Sequence, residues 1–166
     1  MPRQITLADG REIEVECISC ALTSGLLPSI GGVIYETDRF HVHQDVAYPI
    51  RGLAIVAAKR HFYGLDEMTA EEQREYIAIL HKVRSEQRSR LGVEHVYYFY
   101  NEDTTHHFHT WMVPRYEWMK SFGHSVESLR PALLHARHHM NDDDHMRLVL
   151  SGIEALRAGM QGFRVI

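Results

Sequence analysis

Asn101-Glu-Asp-Thr-Thr-His-His-Phe-His-Thr-Trp-Met-Val-Pro114 places three histidines within four residues. A run rich in β-branched and aromatic residues, Val93 to Tyr100, precedes it, and an apolar run follows to Pro114, so the histidines open a strand. Alternate side chains of a strand share a face. His107, His109 and Trp111 therefore lie on one side, and His106, Phe108, Thr110 and Met112 on the other. The loop of about six residues before the histidines is too short for a crossover, which makes Val93–Tyr100 and the histidine strand an antiparallel pair.

Upstream, Thr69-Ala-Glu-Glu72 has the form of a capping box, in which the Thr69 hydroxyl accepts a backbone N–H and Glu72 reaches back. A helix is expected from there to Gly92, a left-handed stop, with Tyr76, Ile77, Leu80, Val83 and Leu91 on a face buried against the sheet. Leu53 to Ala58 is a short apolar run, the pattern of a strand covered on both faces. Val33–Thr37 and Phe40–Gln44 read as two strands joined by Asp38-Arg39. Ile5–Leu7 and Glu12–Val15 flank Asp9-Gly10 as an N-terminal hairpin, and Cys17-Ile-Ser-Cys20 follows on a turn. Downstream of Pro114, helical stretches are expected over Ser128–His139 and Asn141–Met160, the second with acids in its first turn and Leu148, Ile153 and Leu156 toward the core.

With 166 residues, 45% of them hydrophobic, the chain suffices for one well-buried core, and residues 1–166 are read as a single domain. A formal charge of −4 provides no broad electrostatic footprint for nucleic acid or an anionic membrane, so any phosphate must be held locally. No run approaches the roughly 18 apolar residues of a membrane span, and the first residues lack an apolar signal core. A cytoplasmic protein is expected.

Cys17 and Cys20 are the only cysteines, at a spacing that serves as a metal half-site, a redox pair or two buried thiols. A closed zinc site needs two more ligands, and His61, just past a strand end, and His107, at the start of another, are the histidines a sheet could bring to a common point. His109 is placed to act as a nucleophile toward phosphorus, because a neutral imidazole attacks well and its phosphorylated form is labile. Two alternatives stand beside that reading: His107 and His109 as ligands of an open catalytic metal, or a polar face that holds nothing. Asp45, at a strand end, either accepts ribose hydroxyls or is a solvated turn residue. Asn101 and Thr104 could donate to phosphate oxygens, though both are ordinary loop residues. His135, His138 and His139 have helical spacing and read as a metal face or a solvated helix end. His41 and His43 share a strand face, with no role evident from sequence.

These motifs in this order resemble the histidine triad (HIT) superfamily over roughly Cys17 to Arg115. Cys17-Ile-Ser-Cys20 is similar to the Cys-x-x-Cys of bacterial members, and Tyr35-Glu-Thr-Asp-Arg-Phe40 to their first strand pair. Gly52-Leu-Ala-Ile-Val-Ala-Ala-Lys-Arg-His61 resembles the family's Gly-His-x-Leu-Val-Ile-Pro-Lys-x-His, Leu65-Asp-Glu-Met-Thr69 the segment leading into its long helix, and His107-Phe-His-Thr-Trp-Met-Val-Pro114 its His-x-His-x-His motif.

The resemblance implies an α+β fold: an antiparallel sheet of about five strands with a long amphipathic helix, usually dimeric, here with a hairpin over residues 1–16 and extra C-terminal helices over 116–166. It implies a nucleotide hydrolase or nucleotidyltransferase acting on phosphoramidates, dinucleoside polyphosphates or related conjugates, with His109 as the nucleophile that carries the nucleotidyl group. Asp45 matches the ribose-binding acid, and Asn101 and Thr104 match phosphate contacts. Cys17, Cys20, His61 and His107 match the ligands of a structural zinc.

Trp111 departs from the pattern, since the family has histidine or glutamine there, and an indole has one donor and no acceptor. If that position acts mainly through its backbone carbonyl, holding the proton on His109 Nδ1, the change is tolerable; a zinc-stabilised nucleotide-binding protein that has lost catalysis through Trp111 is the alternative. Leu53 and Ala58 stand where the family usually has histidine and proline. The last fifty or so residues have no counterpart in the minimal fold and could cover the site or extend a dimer.

Overall fold

The computed structural model of the chain describes residues 2–7, 9–103 and 107–165. Strands β1 (Arg3–Thr6) and β2 (Glu12–Val15) form the expected antiparallel hairpin, and helix α1 (Ile18–Thr23) follows at once. Strands β3 (Tyr35–Glu36), β4 (Phe40–His43), β5 (Ala54–Ala58), β6 (His95–Phe99) and β7 (His109–Arg115) make a five-stranded antiparallel sheet in the order β3-β4-β5-β7-β6. Helix α2 (Ala70–Leu91) lies between β5 and β6 in sequence, and α3 (Leu129–His139) and α4 (Asp143–Met160) close the chain.

The capping box forms as read: Thr69 Oγ1 accepts the Glu72 N–H, and Glu72 returns to the Thr69 N–H at 2.8 Å. Gly92 ends α2 at φ 66°, a left-handed position that costs a glycine little. The apolar stripe is rotated from the expected one, because Ile77 is exposed and Ile79 is buried. Four polar residues of α2, Glu72, Glu75, Glu86 and Gln87, are buried too. Each carboxylate has a cation: Arg60 on Glu72, Arg39 on Glu75, Lys82 and Arg90 on Glu86. Unpaired, such charges would be costly at this depth.

One face of the sheet carries Phe40, Val42, Ala54, Val56, Phe108 and Met112, and the main core forms where α2 and α4 cover it, with Ile79, Val83, Val149, Ile153 and Leu156 buried. The C-terminal extension is thus part of the core. Ile153 and Leu156 are buried as expected, whereas Leu148 is exposed and Val149 is fully buried in its stead. The opposite face is covered at one end only, by α3, where Leu53, Ile55 and Val113 meet Leu129, Ala132 and Ala136. Leu53 is fully buried in this cluster. At the other end of this face, a cleft is left under α1. Among the described residues, no helix is long and apolar enough to cross a membrane.

Candidate functional site

The strand ends bring the four expected metal ligands together. Phe62 and Phe108, the neighbours of His61 and His107, stack in the core with ring centroids 5.1 Å apart, and the Phe108 N–H donates to the Phe62 carbonyl at 2.7 Å. With both phenyl rings turned inward, both imidazoles turn toward α1. Arg60 steadies the same corner by donating to both oxygens of Glu72 at 2.9 and 2.8 Å, which holds that carboxyl down to about 2. Cys17 caps α1, accepting the Cys20 N–H on its sulfur, and Cys20 lies in the first turn.

The ligand atoms of Cys17, Cys20, His61 and His107 all lie within 4.8 Å of one another. His107 Nδ1 is 3.4 Å from Cys17 Sγ, 3.3 Å from Cys20 Sγ and 3.2 Å from His61 Nδ1, and His61 Nδ1 is 3.2 Å from Cys20 Sγ. A zinc tetrahedron with bonds of ~2.0 Å to nitrogen and ~2.3 Å to sulfur has edges of about 3.3–3.8 Å, so the spacing fits. The tautomer fits as well: His107 Nε2 donates to the Ala58 carbonyl at 2.7 Å, leaving Nδ1 as a lone pair aimed at the sulfurs, and burial lowers its pKa and keeps the ring neutral. Burial and the adjacent Cys17 push the Cys20 thiol up to about 11. A divalent cation would supply the charge that makes the sulfurs thiolates. The set is closed, with four protein donors, and His109 stands outside it, which argues against the open catalytic metal weighed from sequence.

His109 begins β7, one strand step beyond His107, and lines the cleft with Trp111, His43 and Asp45. The cleft measures about 1550 Å³, ample for a nucleotide and its leaving group. His109 Nδ1 donates to the carbonyl of His107 at 2.8 Å, which leaves the ring's lone pair on Nε2. A carbonyl at position 111 was one way in which Trp111 could be tolerated; in the structure it is the His107 carbonyl, two residues back from His109, that meets this nitrogen. Trp111 instead lines the cleft at the α3 end, edge-on to Tyr48 with centroids 5.2 Å apart, and Tyr48 is capped by Arg137 of α3.

Asp45 lies two residues beyond β4, half-buried in the cleft wall; one of its oxygens accepts the Ala47 N–H at 2.9 Å, and the other faces no partner among the described residues. Asn101 is half-buried two residues past β6 and is not among the described residues that line the cleft. Thr104 lies outside the described residues. His135 stacks against Trp118 and Phe122 and lies 4.9 Å from the His139 ring, an aromatic surface cluster apart from the cleft.

His41 and His43, for which the sequence offered no role, are buried side by side on the cleft face, Nδ1 to Nδ1 at 3.1 Å. Burial lowers both, and with His41 and His109 nearby His43 is pushed down to about 3. An unfolded histidine titrates near 6.5, so between about pH 6.5 and 3 the unfolded chain binds more protons and stability falls as the pH falls. The slope expected for one such ring is up to ~1.4 kcal/mol per pH unit. Urea unfolding at pH 7 and pH 5 should show a shallower slope for His43→Phe than for wild type under the same zinc concentration. Equal slopes would assign the acid sensitivity to other groups.

No protein-family model matches the chain, and no curated protein matches it. Solved structures do. A Zn-bound histidine triad family protein from Mycobacterium smegmatis superposes with a TM-score of 0.60 at 23% identity, over 86% of this chain and 96% of that one. A Hit-like protein involved in cell-cycle regulation from Bartonella henselae gives 0.62 at 17% identity, over 87% and 96%. A member of the HIT family from Bacillus subtilis gives 0.58 at 20%, over 77% and 99%. The likeness is one of fold, and it agrees with the antiparallel five-stranded sheet and long helix expected from sequence.

Proposed function

We propose that the protein is a nucleotide hydrolase or nucleotidyltransferase of the histidine triad type, acting through a covalent nucleotidyl-His109 intermediate. The observation that carries this reading is the His109 ring, held by Nδ1 to the His107 carbonyl, in a cleft whose wall also bears Asp45. In the first step His109 Nε2 attacks the α-phosphorus of the substrate. A P–N bond forms, the bond to the leaving group breaks, and the leaving group takes a proton from solvent. In the second step water or another acceptor attacks the same phosphorus and gives its proton to solvent, a P–O bond forms, the P–N bond breaks, and the imidazole regains its lone pair. Asp45 accepts sugar hydroxyls, and Asn101 and Thr104 are assigned the phosphate contacts on the resemblance alone.

Cys17, Cys20, His61 and His107 would hold zinc, which braces the strand end beside His109 and takes no part in bond breaking. The reading extends to a homodimer in the cytoplasm, a reducing compartment that suits two free cysteines, with neither nucleic acid nor membrane as partner.

One observation favours a second reading. Trp111 occupies the place of the third histidine and cannot accept a proton, which suits a zinc-stabilised protein that binds nucleotides without turning them over. A panel of adenosine and guanosine phosphoramidates, a dinucleoside polyphosphate and a nucleotide sugar separates the two. Release of nucleoside monophosphate by folded, zinc-loaded protein supports the enzyme. Saturable binding without release supports the binding protein.

A further inference from the structure

The register of the sheet lays the cleft floor out in rows. His41 pairs with Ala57 and Ala57 with His109; one row on, His43 pairs with Ile55 and Ile55 with Trp111. Asp45, two residues beyond His43, continues the same face past the strand end. His43 therefore stands between the row of the nucleophile and the acid at the cleft's far end. It is 7% exposed and lines the cleft. Its Nδ1 is engaged by His41, whose ring centroid is 5.1 Å away, and its Nε2 has no partner among the described residues. A strand needs no histidine there, since the neighbouring cleft-facing positions Ile55 and Ala57 are apolar, and Nε2 is not among the described buried atoms left without a partner, so it opens on the cleft, where a ligand can reach it.

We propose that His43 is a specificity-determining residue that reads the nucleoside part of the substrate, hydrogen-bonding through Nε2 to a neutral polar group on the sugar or base, with His41 as the positioning residue that fixes the ring and its tautomer. The inference rests on the nucleotide reading above. Neutrality selects the class of group: a buried, uncharged imidazole adds no positive charge for a phosphate, but donates or accepts one hydrogen bond to a hydroxyl or a base edge. The phosphate belongs one row away, at His109.

The test is equilibrium binding by calorimetry, which needs no turnover. The probes are adenosine and guanosine 5′-monophosphates, their 2′-deoxy and 3′-deoxy forms, and purine riboside monophosphate, which lacks the polar base substituents. His43→Phe is expected to weaken binding of the parent nucleotide about tenfold to a hundredfold. One analogue should lose the same factor with wild type and lose nothing further with His43→Phe; a deoxy analogue would assign the contact to the sugar, and purine riboside to the base. His43→Leu carries the same expectation, so a packing fault peculiar to the phenyl ring does not decide the matter. His41→Phe should weaken binding in the same direction, and His41→Asn, which keeps a polar atom beside His43 Nδ1, should restore it. Wild-type affinity in both His43 variants, with the parent nucleotide still bound, overturns the inference and leaves the nucleotide reading standing. A wild type that binds none of the probes overturns both.

Discussion

His109→Ala is expected to lower nucleoside monophosphate release by about 10³-fold or more, with zinc content and melting temperature close to wild type. The size follows from the proposed role: among the described residues that line the cleft, His109 is the ring with one nitrogen held by a backbone carbonyl, at 2.8 Å, and the lone pair left on the other. Removal closes the covalent route and leaves only binding and orientation to act on water. The small cost to stability follows from position, since His109 is half-exposed at the cleft and outside the closed set of four ligands. Rates on the best substrate of the panel, with metal analysis and thermal melts on the same preparations, check all three expectations. A variant that keeps even a tenth of the activity would remove His109 from the mechanism.

The second large effect concerns the metal. Among the described residues, the main core takes no buried residue from before Ile34. The hairpin and α1 have a small cluster of their own, Val15, Ala21 and Leu27, ringed by Ile5, Leu7, Ile13, Ile18 and Leu22. Cys17 and Cys20 of this layer meet His61 and His107 at the strand ends of the sheet. Because a closed site contributes its binding energy to folding, chelation or His61→Ala is expected to cost about 3 kcal/mol or more, a fall of roughly 10 °C in Tm. The loss should be local before it is global. Limited proteolysis of the metal-depleted protein should cut first within the first thirty or so residues, while the sheet with α2 and α4 resists. The cleft would lose a wall at the same time, since Cys17 to Thr23 line it. If His61→Ala kept its zinc and its Tm, the ligand assignment would be wrong.

Local chemistry made much of this legible. The α2 boundaries rest on Thr69, Glu72 and Gly92, whose hydrogen bonds and positive φ involve only near neighbours. The four metal ligands could be named because zinc demands a small set of donors in a fixed geometry. Other features depend on long-range packing. A helical period alone does not choose Ile79 over Ile77 or Val149 over Leu148, because that choice follows from where α4 lies against α2. Nor does it say which side of the sheet a late helix will take, so α3 as a partial cover of the opposite face was out of reach, although α4 was read with Ile153 and Leu156 toward the core, where they lie. The His41–His43 contact required knowing that β4 is buried on both faces. Trp111 was legible as a departure but not in its place beside Tyr48, which depends on α3 closing that end of the cleft.

The most direct test is to trap the intermediate. Wild-type protein is mixed with the best substrate and quenched after a few milliseconds in alkali, where a phosphoramidate bond survives; its peptides are then weighed. The peptide bearing His109 should gain the mass of the nucleotidyl group, with the adduct appearing and decaying at rates that account for turnover. Turnover without that adduct, or an adduct on any other residue, would contradict the account.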